Sequence, residues 1–179
     1  IPNPLIINGK YLTKFFEHFD CLFKNKEDSR VLLALSGGSD SVLLLYLLLR
    51  YFKGNKRVIN IAHINHNLRN DSFKDEAFVT KVGLELEINT YIRQLNPKLK
   101  SNDESTESWA RKERYKLLSE ILIESNSNFI LTGHHKNDQA ETILKNISEK
   151  TGLFGLGGMK SVNKNLIRPL LPFTKLELM

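Results

Sequence analysis

The sequence predicts a doubly wound α/β fold, a parallel five-stranded sheet with helices on both faces. Three observations predict it. From Val31 onward, short apolar runs alternate with helix-length amphipathic segments. The first run, Val31-Leu32-Leu33-Ala34-Leu35, is continuously apolar, as a strand covered on both faces is. Each pair of runs is joined by enough chain for a right-handed helical crossover, which makes neighbouring strands parallel. At 179 residues, 41% of them hydrophobic, the chain can bury a core of single-domain size without disulfides.

The elements follow in order. Leu12, Phe15, Phe16, Phe19, Leu22 and Phe23 mark one apolar face of a first helix, so residues 1–29 read as a packing segment ahead of a domain over 30–179. After the strand at Val31 to Leu35 comes a Gly-Gly turn and a Leu-rich helix from Asp40 to Phe52. Arg57 to His63 reads as a second strand, and Ser72-Phe73-Lys74-Asp75 as a capping box opening a helix to Glu87. Ile88 to Leu95 is a third strand, and the polar stretch Asn96 to Asp103 leads into a helix from Ser105 to Glu124. Asn128 to Thr132 is a fourth strand ending at Gly133, followed by a helix from Asn137 to Ile147. Gly152 to Gly158 holds four glycines and reads as a loop, and Leu166 to Leu171 as a fifth strand.

Composition excludes several classes. The lone Cys21 permits no internal disulfide, and no apolar run approaches the roughly 20 residues of a membrane span, so a cytoplasmic protein is expected. Lys and Arg number 26 against 20 Asp and Glu, a net charge of +6 that favours polyanionic partners without selecting one. Oligomeric state is not legible.

Ser36-Gly37-Gly38-Ser39-Asp40-Ser41 is the most informative stretch. It lies between a buried strand and a helix, where free backbone N–H groups and the helix dipole attract an anion. The glycines let backbone approach phosphate, the hydroxyls of Ser36, Ser39 and Ser41 add donors, and Asp40 can hold a Mg2+ that bridges phosphate oxygens. No Lys follows the glycines, which separates the loop from G-x-x-x-x-G-K-[ST], and it is not G-x-G-x-x-G.

The loop resembles the pyrophosphate-binding loop of the N-type ATP pyrophosphatases, which implies that Ser36 to Ser41 hold the β- and γ-phosphates of ATP. Five further stretches resemble motifs of the tRNA(Ile)-lysidine synthetases. They are Ala62-His63-Ile64-Asn65-His66-Asn67-Leu68-Arg69, Glu107 to Tyr115, Leu131 to Thr142, and Gly152 to Met159 with Arg168-Pro169-Leu170-Leu171. The resemblance implies a Rossmann-like PP-loop ATPase and a ligase that adenylates the wobble cytidine of an isoleucine tRNA at C2, after which free lysine displaces AMP. It implies lysine contacts for Asp138 and Glu141.

The residues themselves agree with that chemistry. His63 and Asn65 share one side of a strand end, where they border a nucleotide or simply cap the strand. Arg111 and Arg114 lie on one helix face with Glu107, either as a cationic clamp or as a solvated ion-pair face. His134, Asp138 and Glu141 come together if the helix begins near His134. Two carboxylates there can orient an ammonium group and take its proton, although a zinc site or a plain capped helix has the same pattern. Trp109 reads as core. Glu149 stands where the resembled family carries arginine, and the family continues past Met179, so a truncated form or an ATP-binding module without catalysis is also compatible. Cytidine thiolation is disfavoured by the lack of C-x-x-C pairs, and NAD or GMP synthetases account for the loop alone.

Overall fold

Phe15, Phe19 and Phe23 recur every fourth residue, and helix α1 (Gly9–Phe23) turns all three into the core. The computed structural model describes residues 9–24, 29–53, 55, 58–68, 71–101, 103–148 and 157–178. After α1 come β1 (Val31–Ala34), α2 (Ser39–Tyr51), β2 (Ile59–Asn65), α3 (Ser72–Leu86) and β3 (Thr90–Gln94). Then follow α4 (Thr106–Glu124), β4 (Phe129–Leu131), α5 (Lys136–Ser148), β5 (Val162–Asn163), β6 (Leu166–Ile167) and α6 (Lys175–Leu178).

The strands form one sheet in the order β3-β2-β1-β4-β6-β5. All pairings are parallel except β5 with β6. The chain steps outward from β1 to β2 and β3, then returns to the other side of β1 as β4, and the order reverses between β1 and β4. A sheet of this kind binds ligands at the carboxyl ends of the strands beside such a reversal.

Side chains alternate across the sheet and build two cores. Val31, Leu33, Ile61, Leu131 and Ile167 meet α1, α2 and α3 on one face, with Phe15, Phe19, Leu44, Leu48 and Val79. Leu32, Ala34, Ala62, Ile64 and Ile130 meet α4 on the other, with Trp109, Leu118 and Ile121. Trp109 is therefore core. Helix α5 buries none of its residues; Gln139 instead clasps the backbone of Met159, donating to its carbonyl at 2.9 Å and accepting from its N–H at 2.6 Å.

Three expectations are corrected. The sheet has six strands. The run expected as a fifth strand shrinks to β6, because Pro169 and Pro172 carry no amide donor for a ladder and the backbone turns, Leu171 N–H donating to Arg168 O and Phe173 N–H to Leu170 O. The sixth strand, β5, is a two-residue antiparallel partner reached through a turn with Lys164 at φ 54°. The capping box at Ser72 is absent: Asp71 is the N-cap of α3, with no side-chain capping hydrogen bond. Strand β2 runs two residues further than expected, which leaves its faces unchanged because the side-chain period is two. Arg57, Arg69, Glu149 and most of the Gly152 to Gly158 loop lie outside the described residues.

Phe19 is fully buried, stacks on Phe23 at 4.4 Å between ring centroids and meets Tyr51 edge-on at 4.6 Å. Phe19→Ala is expected to cost about 3–5 kcal/mol, read from the shift of the urea unfolding midpoint.

Candidate active site

The backbone leaves β1 through Leu35, whose N–H donates to Ala62 O at 2.9 Å, and enters the serine- and glycine-rich loop. Gly37 takes φ +90°, a conformation that requires glycine, and a Cβ there would stand 3.2 Å from the Asp75 carboxylate, which would have to give way. Ser41 knots the loop. Its hydroxyl donates to Gly38 O at 2.9 Å, accepts from Ser36 N–H at 3.2 Å and lies 3.1 Å from Ser36 Oγ. The expectation that three serine hydroxyls point at a ligand is thus modified, since the Ser41 proton is spent within the loop and Ser39 Oγ donates to Asp40 Oδ1 at 3.4 Å. The amides of the first turn of α2 have no intrahelical acceptor and remain the donors of the cradle.

Opposite, β4 ends and the chain passes through Gly133. A Cβ at Gly133 would lie 3.1 Å from the backbone of Asp40 and Ser41, and its absence lets β4 touch the first turn of α2. Between them is a cavity of about 150 Å³ lined by Ser36, Gly38, Asp40, Ser41, Arg114 and His134. Arg114 also lines a neighbouring cavity of about 430 Å³, with Ser36, His63, Asn65, His66 and Asp75.

His63 is buried and its Nδ1–H donates to Leu35 O at 2.9 Å. Its Nε2 is left as an acceptor without a partner among the described residues. Asn65 lines the same cavity, but its amide is committed, donating to Glu76 at 2.8 Å and accepting from Asn67 N–H at 2.9 Å.

Asp40 Oδ2 lies 3.5 Å from Lys175 Nζ and 3.6 Å from His135 Nε2. His135 is buried, and its Nδ1 lies 3.4 Å from Asp138 Oδ2. Asp138 accepts from His135 N–H at 2.8 Å, the reach-back half of a capping box in which His135 precedes the first residue of α5. Helix α5 begins at Lys136, so His134 stands before the helix and not on it, with the Asp138 carboxylate near enough to act on its charge. Asp138 is joined to Asp40 through His135, and Glu141 is exposed on α5.

His134 faces the cradle, with Nδ1 2.9 Å from Thr132 Oγ1. Burial, then the positive charges of Arg114 and Arg168, lower its pKa to about 4, against a smaller opposing effect of Asp138. It is neutral at pH 7. Burial also lowers the pKa of Arg114, which remains a cation. The guanidinium carbons of Arg111 and Arg114 lie 5.4 and 6.0 Å from the Tyr115 ring centre and the charges of both act on His134, while Arg114 lines the cradle and Arg111 a different cavity.

The sequence reading missed His135 and Lys175. The spacing His135-x-x-Asp138 carried the signal for the first, as a capping box with imidazole in the place of a hydroxyl. Lys175 reaches Asp40 across 135 positions, and no local pattern reveals it.

Residues 11–179 match the family model of the PP-loop domain. The chain is 40% identical over 169 residues to a tRNA(Ile)-lysidine synthase of Thermosipho africanus, covering 93% of this chain and 40% of that protein. It is 40% identical over 151 residues to a tRNA(Ile)-lysidine synthase of Chlorobaculum tepidum, covering 83% and 46%. A third tRNA(Ile)-lysidine synthase, from Petrotoga mobilis, is 34% identical over 164 residues, covering 90% and 52%. The chain thus spans about half the length of these curated relatives, or less. Among solved structures, the U34-tRNA thiolase NcsA of Methanococcus maripaludis superposes with a TM-score of 0.73 at 22% identity, covering 96% of this chain and 63% of that one. An NH3-dependent NAD synthetase of Campylobacter jejuni gives 0.61 at 19%, covering 95% and 69%. These two likenesses show the fold. No helix among the described residues is long and apolar enough to cross a membrane.

The low pKa of His134 sets a pH dependence of stability. Ordinary imidazole protonates near 6.5 in the unfolded chain, whereas the folded chain resists the proton down to about 4. The stabilisation is complete above pH 6.5 and is lost as pH falls from 6.5 to 4, by on the order of 3 kcal/mol. Burial of His18 acts in the same direction. Urea midpoints measured across this range are expected to fall with pH in the parent, and less steeply in His134→Gln.

Proposed function

Since the chain belongs to the PP-loop domain family, we propose that it is the nucleotide-binding catalytic domain of a tRNA(Ile)-lysidine synthase, with residues 1–29 as its packing segment. The reaction is a carbon–nitrogen ligation: ATP adenylates C2 of the wobble cytidine of an isoleucine tRNA with release of pyrophosphate, and the amine of free lysine displaces AMP. We place it in the cytoplasm. The observation that carries this reading is the cradle itself, in which amides of α2, a half-buried arginine and a neutral histidine converge on one cavity. The choice of substrate rests on the relatives' names.

In this reading the amides of Ser39, Asp40 and Ser41 hold the β- and γ-phosphates, aided by Ser36, Gly37 and Gly38. Asp40 offers carboxylate oxygens beside the cradle, and no cluster of three or more metal ligands exists among the described residues. That donor set fits Mg2+, which Asp40 would hold and which would offset the negative charge of the phosphates. Arg114 faces both cavities and stabilises charge as the phosphate bond breaks, and Arg111 adds positive charge across Tyr115. Neutral His134 exchanges hydrogen bonds with the reacting base or phosphate. His63 presents Nε2 and Asn65 shapes the wall where the nucleotide lies. Asp138 and Glu141 attract the lysine ammonium, and one of them accepts the proton that frees its amine.

The test combines Mg2+, ATP, the isoleucine tRNA and labelled lysine, with nucleoside analysis of the product. Label is expected in lysidine, with unlabelled pyrophosphate released from ATP in equal amount. Pyrophosphate release that ignores lysine would indicate another adenylating reaction, and ATP binding without pyrophosphate a non-catalytic module. Asp40→Ala is expected to lower pyrophosphate release by about 100-fold or more while leaving the melting temperature nearly unchanged; full activity would remove Asp40 from the metal. Glu141→Ala should raise the KM for lysine.

A further inference from the structure

Beside the phosphate cradle and its neighbour, a third cavity of about 530 Å³ opens between α4, α5 and the β5–β6 hairpin. Arg111, Lys145, Lys160 and Arg168 line it together with Glu107, so four cations face one carboxylate and three positive charges are in excess. Glu107 is already engaged by Lys145 at 2.7 Å.

Arg168 is the innermost of the four. It is 5% exposed, and its Nη1 donates to Lys160 O at 2.8 Å. Its Nε has no hydrogen-bond partner, and its guanidinium makes no ion pair, among the described residues. Among the described residues no carboxylate pairs with this buried guanidinium, an unfavourable state that an anion bound in the cavity offsets.

The chemistry of the cavity selects among anions. The phosphates of ATP have their own donors in the cradle lined by Ser36, Gly38 and Arg114. Free lysine is a net cation at neutral pH when both its amines are protonated, and an excess of three positive charges repels it. A polyanionic backbone is attracted, and guanidinium groups suit the paired oxygens of a phosphodiester. We propose that this cavity binds a backbone phosphate of the substrate RNA close to the nucleotide being modified, with Arg168 as the inner ligand and Lys160 and Arg111 at the mouth. The assignment rests on reading the chain as part of a tRNA-modifying ligase.

The test uses a labelled anticodon stem-loop carrying the wobble cytidine, titrated by fluorescence anisotropy at several salt concentrations, with ATP affinity measured in parallel. Lys160→Gln is expected to weaken RNA binding by about 3- to 10-fold, and Lys160→Glu by more than about 10-fold. The slope of log affinity against log salt should become shallower by about 0.7 to 0.9 for the lost contact. ATP affinity should not change. In the unsubstituted protein, the Arg168 Nε–H resonance should move on addition of RNA and stay in place on addition of lysine. RNA affinity and salt slope unchanged in both Lys160 variants would overturn the proposal, and so would an Arg168 resonance that follows lysine and ignores RNA. RNA bound through Lys160 without any lysidine formed would count against the ligase reading while keeping the phosphate site. Lysidine formed normally by both variants with unchanged RNA affinity would do the reverse.

Discussion

The contact between the end of β4 and the first turn of α2 governs the rest of this structure. It exists because Gly133 has no side chain, and any Cβ there would meet the backbone of Asp40 and Ser41 at 3.1 Å. The parallel pairing of β1 with β4 brings the two strand ends level, and the reversal of strand order between them keeps a crossover helix from covering the gap. The amide donors of α2, His134 and the Asp40 carboxylate therefore share one small space.

A second constraint is electrostatic. His134 stays neutral because it is buried and because Arg114 and Arg168 lie near it. Asp40 is the counterpoise, set between Lys175 and His135, and His135 is fixed in turn by Asp138. The site holds its cations close to a group that refuses a proton. Such an arrangement suits the handling of several negative charges near neutral pH, and it links helix α6, at the end of the described chain, to the loop after β1.

Local pattern revealed what local physics determines. The apolar run Val31 to Leu35, the heptad-like phenylalanines of α1 and the Gly-Gly turn all reported their structures, since burial on two faces, a helical stripe and a positive φ each leave a mark within a few residues. The β5–β6 hairpin escaped because Val162-Asn163 and Leu166-Ile167 are too short for any periodicity to register, and Pro169 lay inside the apolar run read as a strand. In the site, the phosphate loop was legible as contiguous sequence. The order of strands that sets Gly133 against it was not, and neither was which cavity Arg111 and Arg114 each line. His134 was singled out although the helix begins two residues later, and the capping role fell to His135.

The shortness of β5 bears on how the molecule behaves in a crowded solution. A sheet with an open edge offers unpaired amides and carbonyls to any passing chain, and long edges invite runaway strand addition. Here one border of the sheet is only Val162 and Asn163, followed by a sharp turn at Lys164. Two residues provide too little ladder to template an intruding strand. The hairpin that walls the cationic cavity thus also blunts this side of the sheet against aggregation.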